Sequence, residues 1–490
     1  MTQTPYKTEY NKLFIGGKWV EPSTEIVIEV RSPATGNYIG KVPMAAADDV
    51  DAACAAARKA FDQGPWPRMK PQERQAVISN AVKLIEDRVD RFKFLLKAET
   101  GQPQMIIDMV QYNAAIASLR YYSTAADKYP WSDLRDGVYG QTLVLREPIG
   151  VVGAVAAWNV PLFIACNKLG PALLAGCTIV LKPAAETPLS VNALAEVFAE
   201  AGLPEGVLSV VPGGAETGRA LTANPQVDKF TFTGSCAVGK EVGKLAAEKL
   251  KPFTLELGGK SAAIILEDAD LDSTLPMLLF ACLMNSGQAC VAQTRILAPR
   301  SRYEEIVSKI GAAVAAMPVG LPDDPATLIG PLITEKQRER VESYIKKGLE
   351  EGARLVTGGG RPENLECGYY VSPTVFADVD NSMTIAQEEI FGPVLSVIPY
   401  DTEEDAIRIA NDSVYGLAGS VWTTNNDKAI KIASQIRTGT YAVNMYAFNP
   451  GAPFGGYKNS GIGRENGPEG IDEYMELKSV LLPPGYSPDL

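Results

Sequence analysis

Five short stretches of this 490-residue chain hold residue types that can do chemistry. Cys290 sits in NSGQACVAQTR, a polar, glycine-containing break after an apolar helix candidate, where a thiol can face a cleft; a free cysteine is more often an inert buried hydrophobe. Glu256 closes the strand candidate FTLELGGKS, and strand C-termini are where parallel α/β sheets put their sites. It is either a salt-bridged surface residue or a carboxyl in apolar surroundings, with the raised pKa that lets it deprotonate a water. Asn159, in AAWNVPLF, lies between a strand and a helix. It reads as a turn or N-cap residue, or as an amide aimed at a developing oxyanion, a role worth about 3 kcal/mol. FTGSCAVG places Gly234, Ser235 and Gly239 where a helix N-terminus can hold a phosphate, although it is not the G-x-G-x-x-G fingerprint and any tight turn accounts for it. Lys182, at the end of TIVLKPAAETP, either reaches a ribose hydroxyl or is solvated. Together these supply a thiol, a base, an oxyanion donor and a nucleotide cradle, the parts of covalent hydride-transfer catalysis.

Composition narrows the chemistry further. The chain has no histidine, which removes Ser-His-Asp and Cys-His catalysis and the commonest metal ligand, so no metal is expected. Any acid or base near neutral pH must be a carboxylate, Lys, Tyr or Cys tuned by its surroundings. A formal charge of -12 gives no general attraction to nucleic acid or anionic membrane. The longest apolar run, 275–284, is interrupted by Pro276 and too short to span a bilayer, and the N-terminus has no basic patch before an apolar stretch. Seven cysteines, an odd number with no Cys-x-x-Cys pair, read as free thiols in a reducing compartment, hence a cytoplasmic protein.

The elements that must position these residues are legible as patterns. From 149 to about 256, β-branched runs (GVVGAVAAW, TIVLKP, VLSVVPG, KFTFTGS, KPFTLELGG) alternate with amphipathic stretches at 162–174, 191–201, 217–221 and 238–250, the signature of a Rossmann-like parallel sheet. Upstream, LFIGGKWVE reads as a hairpin and 46–61 and 72–89 as helices. Downstream, helices at 275–284, 335–351 and 403–410 and strands RILAP, PTVFADV and VLSVIPY predict a second α/β domain. Two outlying segments, 122–146 and 470 to the C-terminus, are rich in Tyr, Leu and Val and fit neither pattern; they are surface hairpins or strands that pair with another subunit.

LELGGKS, GQACVAQTR, AWNVPL, FTGSCAVG, EEIFGPV and PFGGYKNSG resemble, in order and spacing, the signatures of the NAD(P)-dependent aldehyde dehydrogenase superfamily over nearly the whole chain. The resemblance implies an NAD(P)-binding domain (1–124 and 147–257), a catalytic domain (258–460) and a β oligomerisation element (125–146 and 470–490), assembled as a homodimer or homotetramer. It implies Cys290 as nucleophile, Glu256 as general base and Asn159 as oxyanion donor beside the Cys290 backbone N–H, with Lys168 and Glu476 in a proton relay. For the cofactor it implies Trp158, Lys182, Ala185, Glu186, Gly214, Gly218, Phe232, Thr233, Gly234, Ser235, Val238, Leu257, Glu389 and Phe391. Many NAD-specific relatives carry a glutamate where Ala185 stands, with Glu186 next to it here; NAD is favoured and NADP possible. The substrate pocket is expected from Val160, Ile164, Asn167, Ala289, Val291, Tyr446, Phe448 and Phe454. Small or aliphatic residues at the first three predict a roomy apolar pocket for medium-sized aliphatic, aromatic or terpenoid aldehydes. The bound nicotinamide and Lys168 are the expected means of lowering the Cys290 pKa. Competing readings are a coenzyme A-acylating enzyme, which usually lacks the Glu256 base, an esterase, and a nucleotide-binding sensor without turnover.

Overall fold

In the computed structural model, which describes residues 5–486 and 488, the alternation between 149 and 256 becomes the core of an eight-stranded sheet. Its strand order is Gly461–Ile462, Phe253–Glu256, Lys229–Thr233, Val151–Val155, Thr178–Lys182, Leu208–Val210, Leu13–Ile15 and Lys18–Val20. The five strands from Phe253–Glu256 to Leu208–Val210 are parallel, whereas the hairpin Leu13–Ile15/Lys18–Val20 and the short Gly461–Ile462 add antiparallel edges. Val151–Val155 and Thr178–Lys182 are buried on both faces, as continuous β-branched runs require. One face is covered by helix Pro161–Ala175, which opens on a proline and stops at Gly176 in the left-handed region (φ 101°). Helices Ala47–Gln63 and Cys236–Glu248 pack on the other.

A seven-stranded sheet follows, in the order Arg354–Thr357, Thr374–Ala377, Val394–Tyr400, Arg295–Pro299, Ala262–Ile265, Gly419–Trp422 and Ala442–Val443. Arg295, buried, braces it by donating to the carbonyls of Lys260, Ile409 and Ala410 and to Asn381 Oδ1 at 2.9–3.0 Å. The two outlying segments pair with each other: Met475–Leu481 lies antiparallel to Gly140–Pro148, which pairs with Ser132–Gly137. The ends of the expected segments, at 1–4, 487 and 489–490, lie outside the described residues.

Some elements differ from the sequence reading. The helix expected over 72–89 runs Pro71–Glu86, and a further helix, Val89–Thr100, follows after Arg88 leaves the helical region (ψ 25°). A helical segment at 104–122 was not anticipated; it contains a π-helical stretch, Ile107–Asn113, between the turn Gln104–Ile106 and helix Ala114–Tyr122. No helix among the described residues is long and apolar enough to cross a membrane.

Candidate active site

The C-terminal ends of three adjacent parallel strands, Val151–Val155, Lys229–Thr233 and Phe253–Glu256, open into a cavity of about 630 Å³. Cys290, Glu256 and Asn159, which come from well-separated stretches of sequence, all line it.

Cys290 is half-buried, three residues beyond a contorted turn in which Asn285, Ser286 and Gly287 all take positive φ (54°, 55° and 73°). The turn is pinned by Gln288, whose carbonyl accepts from the side-chain amides of Asn159 and Asn285 at 3.0 Å each and whose Oε1 accepts from the Ile333 backbone at 3.0 Å. Burial and the carboxylates of Glu256 and Glu389 push the Cys290 thiol up, so the site alone favours the neutral form. Lys168, expected to lower it, has its Nζ donating to Glu465 Oε1 and Thr231 Oγ1, both at 2.9 Å.

Asn159 is held by its own backbone. Its carbonyl accepts from Gln102 Nε2 (2.6 Å), Gln111 Nε2 (3.2 Å) and Asn285 Nδ2 (3.2 Å), all buried. Three donors on one carbonyl, brought by three separate elements, fix the residue with its amide toward the Cys290 loop. None of the three was singled out from sequence; the available signal was a polar residue inside an otherwise apolar segment.

Glu256 is 4% exposed, and neither carboxyl oxygen meets a hydrogen-bond partner among the described residues. Burial and the neighbouring Glu465 push its pKa well above the ordinary range, with Lys168 opposing. Glu465, also on the cavity wall, is therefore the buried carboxylate beside Lys168. Glu476 is not: it lies exposed on Met475–Leu481, opposite Glu147 in the sheet register, because this edge strand is exposed on both faces from Glu476 to Leu481.

The cofactor candidates fall into two groups. Trp158, Thr233, Gly234, Ser235, Leu257, Glu389 and Phe391 line the cavity. Ser235 caps helix Cys236–Glu248 by accepting from the exposed Val238 backbone at 3.4 Å. Phe232 is buried on the opposite face of the strand, and a Cβ on Gly234 would lie 2.6 Å from its ring, so glycine keeps this backbone low and open. Thr233 Oγ1 is buried without a hydrogen-bond partner among the described residues. Glu389 accepts from the Gly259 backbone at 3.1 Å, and burial raises it to about 7. Trp158 meets Phe391 edge-on, centroids 5.3 Å apart. The second group lies beyond this cavity: Lys182 donates to the carbonyls of Gly213 (2.6 Å) and Pro183 (2.8 Å), beside Gly218 and the N-cap Gly214 of helix Ala215–Ala223. Burial lowers its ammonium to about 8, while nearby exposed Glu186 opposes; Ala185 is half-buried.

All eight expected pocket residues line the cavity: Val160, Ile164 and Asn167 from helix Pro161–Ala175 and its N-cap, Ala289 and Val291 flanking Cys290, and Tyr446, Phe448 and Phe454 from the loop opposite. Phe163 closes edge-on against Phe448 at 4.8 Å. The sequence reading missed Met109, Val110, Ala114 and Ala117, from the π-helical stretch and the helix after it, and Gln337 and Arg340 near the Glu389 side. Gln337 donates to the Phe391 carbonyl at 2.8 Å and Arg340 to that of Glu389 at 2.7 Å.

The family model for the aldehyde dehydrogenase family matches residues 19–480. The chain belongs to the aldehyde dehydrogenase family. Among curated relatives, it is 44% identical over 475 residues to geranial dehydrogenase of Castellaniella defragrans, covering 97% of this chain and 99% of the relative. Among solved structures it is similar to an aldehyde dehydrogenase of Mycobacterium tuberculosis complexed with NAD+ (70% identity, TM-score 0.98, 98% of this chain and 100% of that one). It is also similar to a mutant of aldehyde dehydrogenase C from Pseudomonas syringae complexed with NAD+ and octanal (40% identity, TM-score 0.94, 98% and 97%). The cavity of this aldehyde dehydrogenase is lined by polar groups, Thr233, Glu256, Glu389 and Glu465 among them, and by apolar ones, among them Met109, Val110, Phe163, Ile164 and Phe448.

Proposed function

We propose that this aldehyde dehydrogenase uses NAD to oxidise medium-sized apolar aldehydes to carboxylic acids through a thioester on Cys290. The observation that carries the reading is the convergence of Cys290, Glu256 and Asn159 on one cavity that is also lined by many apolar side chains.

The Cys290 thiolate bonds to the aldehyde carbon, and the resulting oxyanion accepts hydrogen bonds from Asn159 Nδ2 and the Cys290 backbone N–H. The nicotinamide of NAD, when bound, supplies the hydride acceptor. Loss of hydride leaves the thioester. Glu256 then takes a proton from a water whose oxygen attacks the thioester carbon, the C–S bond breaks, and the acid leaves as the Cys290 thiolate returns.

The residues present fit the dinucleotide. The orphaned Thr233 hydroxyl, the shallow backbone at Gly234 and the helix N-terminus at Ser235 offer donors and a positive dipole end beside the reacting groups, with Glu389 available to a ribose. Lys182, with Gly214 and Gly218, would take the adenosine ribose. Ala185 leaves space for a 2′-phosphate that the nearby Glu186 disfavours, so NAD is preferred and NADP is used less well.

The chain is read as a cytoplasmic homodimer or homotetramer, with 1–124 and 147–257 as the cofactor domain, 258–460 as the catalytic domain and 125–146 with 470–490 as the oligomerisation element. Free thiols at all seven cysteines support a reducing compartment. Exposed Leu477, Val480 and Leu481 on Met475–Leu481, an edge strand of its sheet, support pairing with a second subunit. Purified protein is tested for NADH or NADPH formation with a panel of aldehydes. Octanal- and geranial-sized substrates are expected to outperform acetaldehyde in kcat/KM, with no turnover by Cys290→Ala; a preference for acetaldehyde or a charged semialdehyde overturns the substrate assignment.

A further inference from the structure

The peptide that leaves the base strand carries two buried polar groups that the reaction does not use. After Glu256 the chain runs through Leu257, Gly258, Gly259, Lys260 and Ser261 before strand Ala262–Ile265 begins. Lys260 is 2% exposed and Ser261 4%, and neither Lys260 Nζ nor Ser261 Oγ meets a hydrogen-bond partner among the described residues. Both residues line a second cavity, of about 10 Å³, whose wall also includes Arg295, Tyr415 and Gly416. That is about the room of one water molecule. Buried polar groups are nearly always paired, so two unpaired ones around a single small cavity point to something that binds between them.

The wall is cationic. Lys260 shares it with Arg295, whose guanidinium gives one N–H to the Lys260 carbonyl, one each to Asn381 Oδ1 and the Ile409 carbonyl, and one to the Ala410 carbonyl. A guanidinium carries five N–H groups, so one is left over. The carboxylates nearest this region are committed elsewhere: Glu389 accepts from the Gly259 backbone, Glu388 from the Tyr344 hydroxyl at 2.7 Å, and Asp412 from Asn381 Nδ2 at 3.0 Å. Burial and Arg295 lower the Lys260 ammonium to about 7, with Glu389 and Glu388 opposing too weakly to cancel them. A buried ammonium without an acceptor is costly, and the usual remedy, a carboxylate beside it, is missing among the described residues.

We propose that this second cavity is a binding site for a monatomic anion, chloride, held between Lys260 Nζ and Ser261 Oγ. Both groups donate, and the ion accepts from both while supplying the counter-charge that Lys260 lacks. Size selects the ion: phosphate, sulfate and carboxylates exceed the room of one water. Charge selects it too, since a metal cation would meet Lys260 and Arg295, and a water would leave the ammonium uncompensated. The site bears on the chemistry through Gly259, which precedes Lys260. Gly259 donates to Glu389 and packs so closely on the Cys290 loop that a Cβ there would lie 2.4 Å from the Cys290 carbonyl oxygen. An ion on the next residue therefore steadies the peptide that lies between the cofactor side of the main cavity and the thiol, whichever aldehyde the enzyme takes.

Crystals of the full-length wild-type protein soaked in sodium bromide and measured at the bromine absorption edge should show an anomalous peak beside Lys260 Nζ and Ser261 Oγ. In solution, thermal melting at fixed pH and ionic strength compares sodium chloride with sodium gluconate, whose anion is too large for the cavity. Wild type is expected to gain about 1 °C in Tm for each tenfold rise in chloride above its dissociation constant. Ser261→Ala should need more chloride for the same gain, and Lys260→Met should lose the gain. Density at the site without an anomalous signal marks a water and overturns the proposal. A bromide peak without chloride-dependent melting means an adventitious ion only and overturns it as well, as does a chloride gain that Lys260→Met retains. If Lys260→Met does not fold, the wild-type bromide peak and the Ser261→Ala titration decide: both must appear as stated, and failure of either overturns the site.

Discussion

Replacing Glu256 with glutamine should make the protein more stable while stopping its chemistry, and the size of the effect should depend on pH. The side chain is buried, its oxygens lack hydrogen-bond partners among the described residues, and burial with Glu465 nearby raises its pKa well above the ordinary 4.5. A carboxyl whose folded pKa is raised carries no penalty below pH 4.5, where both states are protonated. As pH rises the unfolded chain ionises and the folded one resists, so stability falls until the folded pKa is passed and then levels off. At pH 7 the gap from 4.5 sets a ceiling of about 3 kcal/mol, at roughly 1.4 kcal/mol per pH unit. Glutamine keeps the volume and cannot ionise, so it escapes this loss. With about 2.1 cal/mol/K of unfolding entropy per residue, a 490-residue chain changes Tm by about 1 °C per kcal/mol. Scanning calorimetry at one heating rate should show Glu256→Gln and wild type coinciding near pH 4 and the variant melting up to about 3 °C higher at pH 7. Acyl-enzyme hydrolysis in the same variant should fall by about 10²–10⁴-fold. A Tm difference that does not grow between pH 5 and 7, or a variant that melts lower, refutes the picture of a strained, buried base.

Asn159→Ala removes one oxyanion donor from a residue whose backbone is fixed by three amides, so kcat/KM should drop about 10²-fold with NAD affinity unchanged; a loss below about threefold in steady-state assays excludes the role. Since burial, with Glu256 and Glu389 beside it, raises the Cys290 thiol pKa, iodoacetamide should label Cys290 slowly at pH 7 and faster as pH rises, and saturating NAD or the Glu256→Gln change should each accelerate labelling at fixed pH. Equal rates with and without NAD, read by mass spectrometry of the Cys290 peptide, would contradict the idea that the nicotinamide charge activates the thiol.

Local pattern carried much of the fold. The five strands between 149 and 256 and the helices between them follow from alternating β-branched and amphipathic runs, and Cys290, Glu256 and Asn159 stood out because each sits at a break just beyond such an element. What escaped was set by tertiary contact. Glu465 lies in IGRENG, where nothing local marks it as the partner of a lysine 297 residues away. Glu476 falls on an edge strand exposed on both faces, which spacing from the family motifs did not reveal. KFTFT was legible as a strand, but not that its polar face would be the buried one, because that depends on Lys168 and Glu473 arriving from elsewhere. Of the glutamines that hold Asn159, Gln111 comes from a π-helical stretch that has no simple hydrophobic period and Gln102 from the short loop before it.

That winding bears on how this cavity can change over generations. A π-helical turn is what a helix makes of one residue too many, and the surplus here lies in Ile107–Asn113, upstream of a helix packed firmly into the core. Losing a single codon in this stretch would let Ala114–Tyr122 stay docked while the residues just before it turn by about 100° around the helix axis. Met109 and Val110 would then leave the cavity rim and other side chains would take their place. Gln111 would leave the Asn159 carbonyl in the same movement, so a change of length here would alter the mouth of the cavity and the hold on the oxyanion donor together.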